Sequence, residues 1–181
     1  MNLDRRLSQA AFAAHGKRPW LDTAAIVCAR ELVVGEAATL VFVLARLGAA
    51  LSGRAVRASD AASAGLLVFL IVFFAWGTAV VLELLFKRPR PYTAFDKKPL
   101  DHFWTPTPSM PSSHAAIAFA LAGATLAVGP AWVPAAFLLI ATAIAAGRVY
   151  VGVHSLSDVV AGAAVGFVAL AMASAVWSSV L

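Results

Sequence analysis

The chain has 181 residues, 61% of them hydrophobic and only 13% charged, with a formal net charge of +5. A water-soluble domain sits near half apolar and a quarter charged, so this composition excludes one and points to a bilayer. The length suits a single domain. The lone cysteine, Cys28, excludes an internal disulfide and a cysteine-based zinc cluster, and reads as a small buried apolar residue. Charge concentrates in residues 4–18, 46–57 and 87–101. No soluble basic face with interleaved aromatics accompanies it, which argues against nucleic acid and for membrane lipids and phosphorylated substrates as partners.

In chain order, residues 2–14 place Leu3, Leu7, Ala10, Ala11 and Ala14 on one helical face, which predicts a short helix lying at the membrane interface. The stretch up to Lys17 lacks the apolar core and cleavage site of a signal peptide, so the N-terminus reads as unprocessed. Pro19 and Trp20 mark where the chain meets the membrane, since Trp favours the headgroup level. Residues 23–49 predict a first span, interrupted by Arg30, Glu31 and Glu36. Residues 62–86 predict a cleaner second span carrying only Glu83. Lys87 to Ser112 is polar and rich in proline. Residues 113–128 predict a short apolar helix of about 24 Å, less than a bilayer core of about 30 Å, so its first turn is expected in a recess. Gly129-Pro130 predicts a turn, residues 131–147 a fourth span and residues 155–180 a fifth.

The expected fold is therefore all-α. One integral membrane domain covers 1–181, with an interfacial segment (1–19) and a core of about five transmembrane helices (20–181). Five spans put the 87–112 and 148–158 connections on the same side of the membrane, so polar groups far apart in sequence can meet.

Three segments carry chemistry. They are Lys87-Arg88-Pro89-Arg90-Pro91; Met110-Pro111-Ser112-Ser113-His114 opening an apolar helix; and Gly147-Arg148 followed by His154 and Asp158. His154 and Asp158 are four apart at a helix start and share a face. An Asp accepting the Nδ1–H of a His would fix its tautomer and leave Nε2 free as a nucleophile. His114 is placed to protonate a leaving oxygen. Arg90 and Arg148 offer forked donors to a phosphoryl group. Ser112 and the first N–H groups of the following helix, with Ser113, make an anion cradle.

Together these segments resemble the three signature motifs of the type 2 phosphatidic acid phosphatase superfamily: Lys-x6-Arg-Pro, Pro-Ser-Gly-His and Ser-Arg-x5-His-x3-Asp. The resemblance runs from Trp20 onward and is most specific over 83–158. It implies a membrane phosphatase without metal or cofactor. His154 would be the nucleophile, with Asp158, His114, Arg90, Arg148 and Ser112 in the roles given above. Three positions depart from the pattern: Glu83 replaces the lysine, Ser113 the glycine and Gly147 the serine. An anion at 83 would repel phosphate unless paired, and Lys87, one turn on, is in the favourable order for that. Lys87, Arg88, Lys97 or Lys98 would then serve the phosphate.

The subgroup acting on undecaprenyl diphosphate often lacks this lysine, and Trp20-Leu21-Asp22 is similar to its start of span one. The resemblance therefore implies undecaprenyl diphosphate hydrolysis through a phosphohistidine, on the outer side of the cytoplasmic membrane. Phosphatidylglycerophosphate, phosphatidate and lipid A phosphate stand as alternative substrates. A lipid-phosphate binder or transporter is the alternative class. Vanadium haloperoxidases use a related cage, but the apolar spans argue against one.

Some residues keep two readings. Arg88 reads equally as an interfacial anchor or a phosphate ligand. Arg30, Glu31 and Glu83 read either as an internal ion-pair network or as supporting groups near the substrate. Glu36 reads as structural, and His15 and His102 as bystanders. Gly162 and Gly166 read as close helix packing within the monomer. Arg46, Arg54 and Arg57 in the first short loop make that loop cytoplasmic.

Overall fold

A computed structural model describes residues 3–53, 55–94, 98–100, 107–126 and 130–180. Arg54, Lys97, His102 and Gly129 lie outside the described residues. Among the described residues, seven α-helices follow one another: α1 (Leu3–Ala14), α2 (Pro19–Arg30), α3 (Leu32–Leu51), α4 (Ala58–Phe86), α5 (Ser113–Ala124), α6 (Trp132–Tyr150) and α7 (Leu156–Val180), with a 3₁₀ turn at Pro91–Ala94. Helices α3, α4, α6 and α7 are each long and apolar enough to cross a bilayer. The protein is a multi-pass membrane bundle.

The first expected span is broken. Helix α2 ends at Arg30 and α3 begins at Leu32, with Glu31 between them at φ −92°, ψ −33°. The backbone there stays helical, and the N–H of Glu31 still reaches the Val27 carbonyl at 2.9 Å, so the break is a kink. It coincides with the charged pair Arg30-Glu31, both exposed. Beyond it α2 packs on α6 while α3 turns to α4. Helix α4 runs longer than expected and ends at Lys87, whose left-handed backbone (φ 48°) closes the last turn through its N–H on the Glu83 carbonyl.

Helix α5 sits at the centre, against α4, α6 and α7. It is alanine-rich, with Ala115, Ala116, Ala118, Ala120 and Ala122 all fully buried. In lipid no hydrophobic driving force pulls helices together, so small side chains that allow close approach do that work. Gly162 and Gly166 of α7 are such points. A Cβ on Gly162 would meet the Ser112 carbonyl at 2.5 Å, and one on Gly166 would strike the Ala116 carbonyl. The glycine pair thus seats α7 on α5 within one chain. At only 12 residues α5 spans about 18 Å. Its first turn opens in a recess, under the connections from α4 to α5 and from α6 to α7.

Candidate active site

Those two connections meet. The N–H of Leu100 donates to the Val151 carbonyl (3.1 Å) and the N–H of Ser112 to the Asp158 carbonyl (2.9 Å). A cavity of about 330 Å³ lies at this end, lined by Glu83, Arg90, Thr107, Ser113, His114 and Arg148 among others. Trp76, Val80 and Leu84, three residues on one stripe of α4, form another part of its wall.

Each sequence-predicted group among the described residues can be placed. Arg90 is buried, its Nη1 donating to the Val153 carbonyl (3.0 Å), its Nε to the Thr107 carbonyl (2.9 Å) and its Nη2 to Thr107 Oγ1 (2.6 Å). Arg148 is 1% exposed, and its Nη1 donates to the Ala29 carbonyl at the end of α2 (3.1 Å). Ser112 caps α5, its hydroxyl accepting from the N–H of Ala115. Ser113 and His114 line the cavity.

His154 is 2% exposed and does not itself line the cavity; Arg148, which does, brings Nη2 to 3.4 Å from its Nε2. Nδ1 lies 2.7 Å from the Ser109 carbonyl. A carbonyl can only accept, so Nδ1 carries the proton and Nε2 a lone pair facing Arg148. Burial, reinforced by the charges of Arg148 and Arg90, holds the imidazole well below the usual histidine range, so it is neutral at pH 7.

The expected Asp158–His154 hydrogen bond is not formed. Asp158 Oδ2 stands 4.0 Å from Nδ1, beyond hydrogen-bonding distance, and the Ser109 carbonyl takes its place. Asp158 is committed elsewhere: Oδ2 accepts the N–H of Ser155 at 2.7 Å, and Oδ1 accepts Arg88 Nη1 at 2.9 Å. It holds the turn that follows His154 rather than the ring itself.

Arg88, which reads equally as an interfacial anchor or a phosphate ligand in the sequence, is engaged by protein partners and does not line the cavity. Besides Asp158, its guanidinium binds Ser157 Oγ (2.6 Å) and Asp4 Oδ2 (3.0 Å). Glu83 does line the cavity, with Arg90 and Arg148 among the other lining residues, and Lys87 does not. Lys87 and Lys98 are exposed, and Arg30 and Glu31 sit at the α2–α3 kink, outside the cavity lining. Cys28 is half-buried beside Gly147. Glycine at 147 has a physical reason: a Cβ there would stand 3.0 Å from the Ala25 carbonyl and the Ala29 N–H of α2.

Sequence reasoning missed Ser109, Thr107, Asp4 and Ser157. Ser109 acts through its backbone carbonyl, which leaves no residue signature. Asp4 lies some eighty residues from Arg88, its partner (|i−j| 84).

Buried arginines, a recessed helix N-terminus and a neutral, oriented histidine thus come together at one end of the bundle. The chain belongs to the PAP2 superfamily, whose sequence profile matches residues 63–180, and is a lipid phosphatase of that family. Among solved structures it is similar to LpxE from Aquifex aeolicus (TM-score 0.68, 22% identity, covering 96% of this chain and 95% of that one). It is also similar to the first transmembrane PAP2 type phosphatidylglycerolphosphate phosphatase from Bacillus subtilis (TM-score 0.66, 23% identity, 98% and 86%). No curated protein matches at a significant level.

Proposed function

We propose that the protein hydrolyses a lipid diphosphate, undecaprenyl diphosphate, through a phosphohistidine on His154. The observation that carries the chemistry is the imidazole itself: Nδ1–H bound to the Ser109 carbonyl, Nε2 unprotonated and beside Arg148. A phosphate in the cavity competes for the Arg148 donor and so releases the Nε2 lone pair. Nε2 attacks phosphorus while the bond to the leaving lipid-phosphate oxygen breaks, and His114, protonated once the phosphate anion offsets the two arginines, gives its proton to that oxygen. Water then attacks the phosphohistidine, giving its proton to His114, and the P–N electron pair returns to Nε2. Arg90 and Arg148 stabilise the equatorial oxygens, and Ser112, Ser113 and the first N–H groups of α5 complete the cradle.

Glu83 supports the diphosphate reading by resemblance: it sits where the family motif has a lysine, and the subgroup acting on undecaprenyl diphosphate often lacks that lysine. The apolar stripe Trp76–Val80–Leu84 beside the cavity suits a hydrocarbon tail left in the bilayer. A second reading, a glycerolipid phosphate, is favoured by the likeness to the Bacillus subtilis phosphatidylglycerolphosphate phosphatase.

Phosphate release by the purified protein from undecaprenyl diphosphate, phosphatidylglycerophosphate, phosphatidate and lipid A separates these. Preferred turnover of the diphosphate supports the proposal. Better turnover of a glycerolipid favours the second reading, and no release from any of them favours a lipid-phosphate binder. Acid-labile, base-stable label trapped at His154 from ³²P substrate tests the intermediate. We place the site on the outer side of the cytoplasmic membrane, since Arg46 and Arg57 flank the opposite loop. A reporter fused at the C-terminus should read as cytoplasmic; an external reading overturns that orientation.

A further inference from the structure

Helix α1 does more than lie at the interface. Asp4 Oδ1 accepts the N–H of Ser157 (2.9 Å) and Oδ2 accepts the Ser157 hydroxyl (2.9 Å), so one carboxylate grips the first turn of α7. One turn on, Ser8 Oγ accepts the N–H of Leu156 at 3.0 Å. A further turn on, Phe12 is buried over Gly152, where any Cβ would collide with its ring. Residues 4, 8 and 12 thus form a single face of α1, laid along the segment that carries His154. The unpaired N–H groups of an α-helix start need partners, and for α7 the interfacial helix supplies two.

Arg88 ties this face to the imidazole from both sides. Its side chain binds Asp4, Ser157 and Asp158, and Asp158 in turn holds the N–H of Ser155, the residue after His154. Its main-chain carbonyl accepts the N–H of Ser109 at 2.8 Å, and the neighbouring Pro89 carbonyl accepts the Ser109 hydroxyl. Ser109 is the residue whose own carbonyl holds Nδ1 of His154. One residue therefore anchors both the turn beside the ring and the acceptor on the ring. Asp4 supplies the opposing charge: hydrogen bonds from Ser157 and Arg88, and the positive charge of Arg88, outweigh its partial burial and hold its carboxyl below the usual range.

We propose that Arg88 and Asp4 are positioning residues for His154, and that the active site is complete only when α1 is docked on the 151–158 segment. Arg88, although it lies inside the first motif, does not serve the phosphate. The proposal rests on the reading of His154 as nucleophile.

The test uses the full-length protein in nanodiscs, with wild type, Asp4→Asn, Asp4→Glu, Arg88→Lys and Arg88→Ala. Kinetics with the lipid that wild type turns over should show kcat reduced about tenfold in Asp4→Asn, with KM within about twofold and partial recovery in Asp4→Glu. Arg88→Lys should fall between wild type and Arg88→Ala. A merely structural role would lower the active fraction without changing the ring, so ¹⁵N-histidine NMR is recorded on the same samples. His154 should hold the Nδ1–H tautomer in wild type and lose that preference in Asp4→Asn and Arg88→Ala. If Arg88→Lys instead raises KM about tenfold with kcat unchanged, Arg88 is a phosphate ligand and the proposal falls. It also falls if Asp4→Asn leaves kcat and the tautomer unaltered. The NMR arm needs no substrate. A wild type that releases no phosphate while its tautomer responds to Asp4→Asn therefore defeats the hydrolase reading and leaves the positioning intact.

Discussion

Adjacent residues of α6, Gly147 and Arg148, line two different recesses. Arg148 faces the 330 Å³ cavity with Arg90, Glu83 and His114. Gly147 faces a groove of about 820 Å³ between α1, α2, α5, α6 and α7, lined almost wholly by apolar residues such as Leu7, Leu21, Phe119, Ala146 and Val160. Among the described residues the larger recess is lined by no ionisable group but Cys28 and Tyr150, whereas the smaller one is lined by Glu83, Arg90, His114 and Arg148. Size marks where helices fail to meet. Chemistry is marked by charges held in place by backbone carbonyls, as those of Val153, Thr107 and Ala29 hold the two arginines.

Replacing residues in the two recesses should give very unequal effects. His154→Ala should lower turnover on the order of 10³-fold or more, since the proposed mechanism makes its imidazole the nucleophile; phosphate release under single-turnover conditions measures it. Arg148→Ala and Arg90→Ala should each cost about 10²–10³-fold in kcat, the scale for removing a preorganised donor to developing charge. Gly162→Ala probes the contact that carries the polar site, the seat of α7 on the Ser112 turn. It should destabilise by about 1–3 kcal/mol, read as a lower thermal midpoint in detergent.

The pH profile gives a smaller but directional effect. His154 must be unprotonated to attack, and burial with Arg148 and Arg90 lowers its proton affinity. The neutral form therefore persists as pH falls, and the acid limb of kcat/KM due to this group should lie below 6.5. A limb at or above 6.5 would show that the ring is more solvated than the burial allows. Least of all should be felt in the groove: Ala146→Leu should change turnover less than about twofold, a surface-type substitution. If it slows lipid substrates but not p-nitrophenyl phosphate, the groove holds part of the lipid, and the contrast between the two recesses must be redrawn.

Much of this was legible in the chain. The apolar runs announced a membrane bundle, and the interfacial helix, α4, α6 and α7 lie close to their expected bounds. The motif order brought Arg90, Ser112, His114, Arg148 and His154 to one end of the molecule. The kink at Glu31 was less legible, because the helix-breaking influence is tertiary: α2 follows α6 and α3 follows α4, although the backbone at 31 stays helical. The i, i+4 spacing of His154 and Asp158 misled for a related reason. His154 precedes α7, which begins at Leu156, so the rule for neighbours on a helix face does not apply to it.

The sequence by itself determined the membrane class, the family and the identities of the charged groups, because composition and side-chain chemistry are written in the residues. Only the tertiary structure decided how those groups are held. The acceptor on His154 is the carbonyl of Ser109, the anchor of Arg148 is the carbonyl of Ala29, and the partner of Arg88 is an aspartate on α1. Every residue carries a carbonyl, and every lipid-exposed span can turn in several ways, so neither pairing has a sequence signature. In a bilayer, where each buried polar group needs a partner, those pairings complete the site.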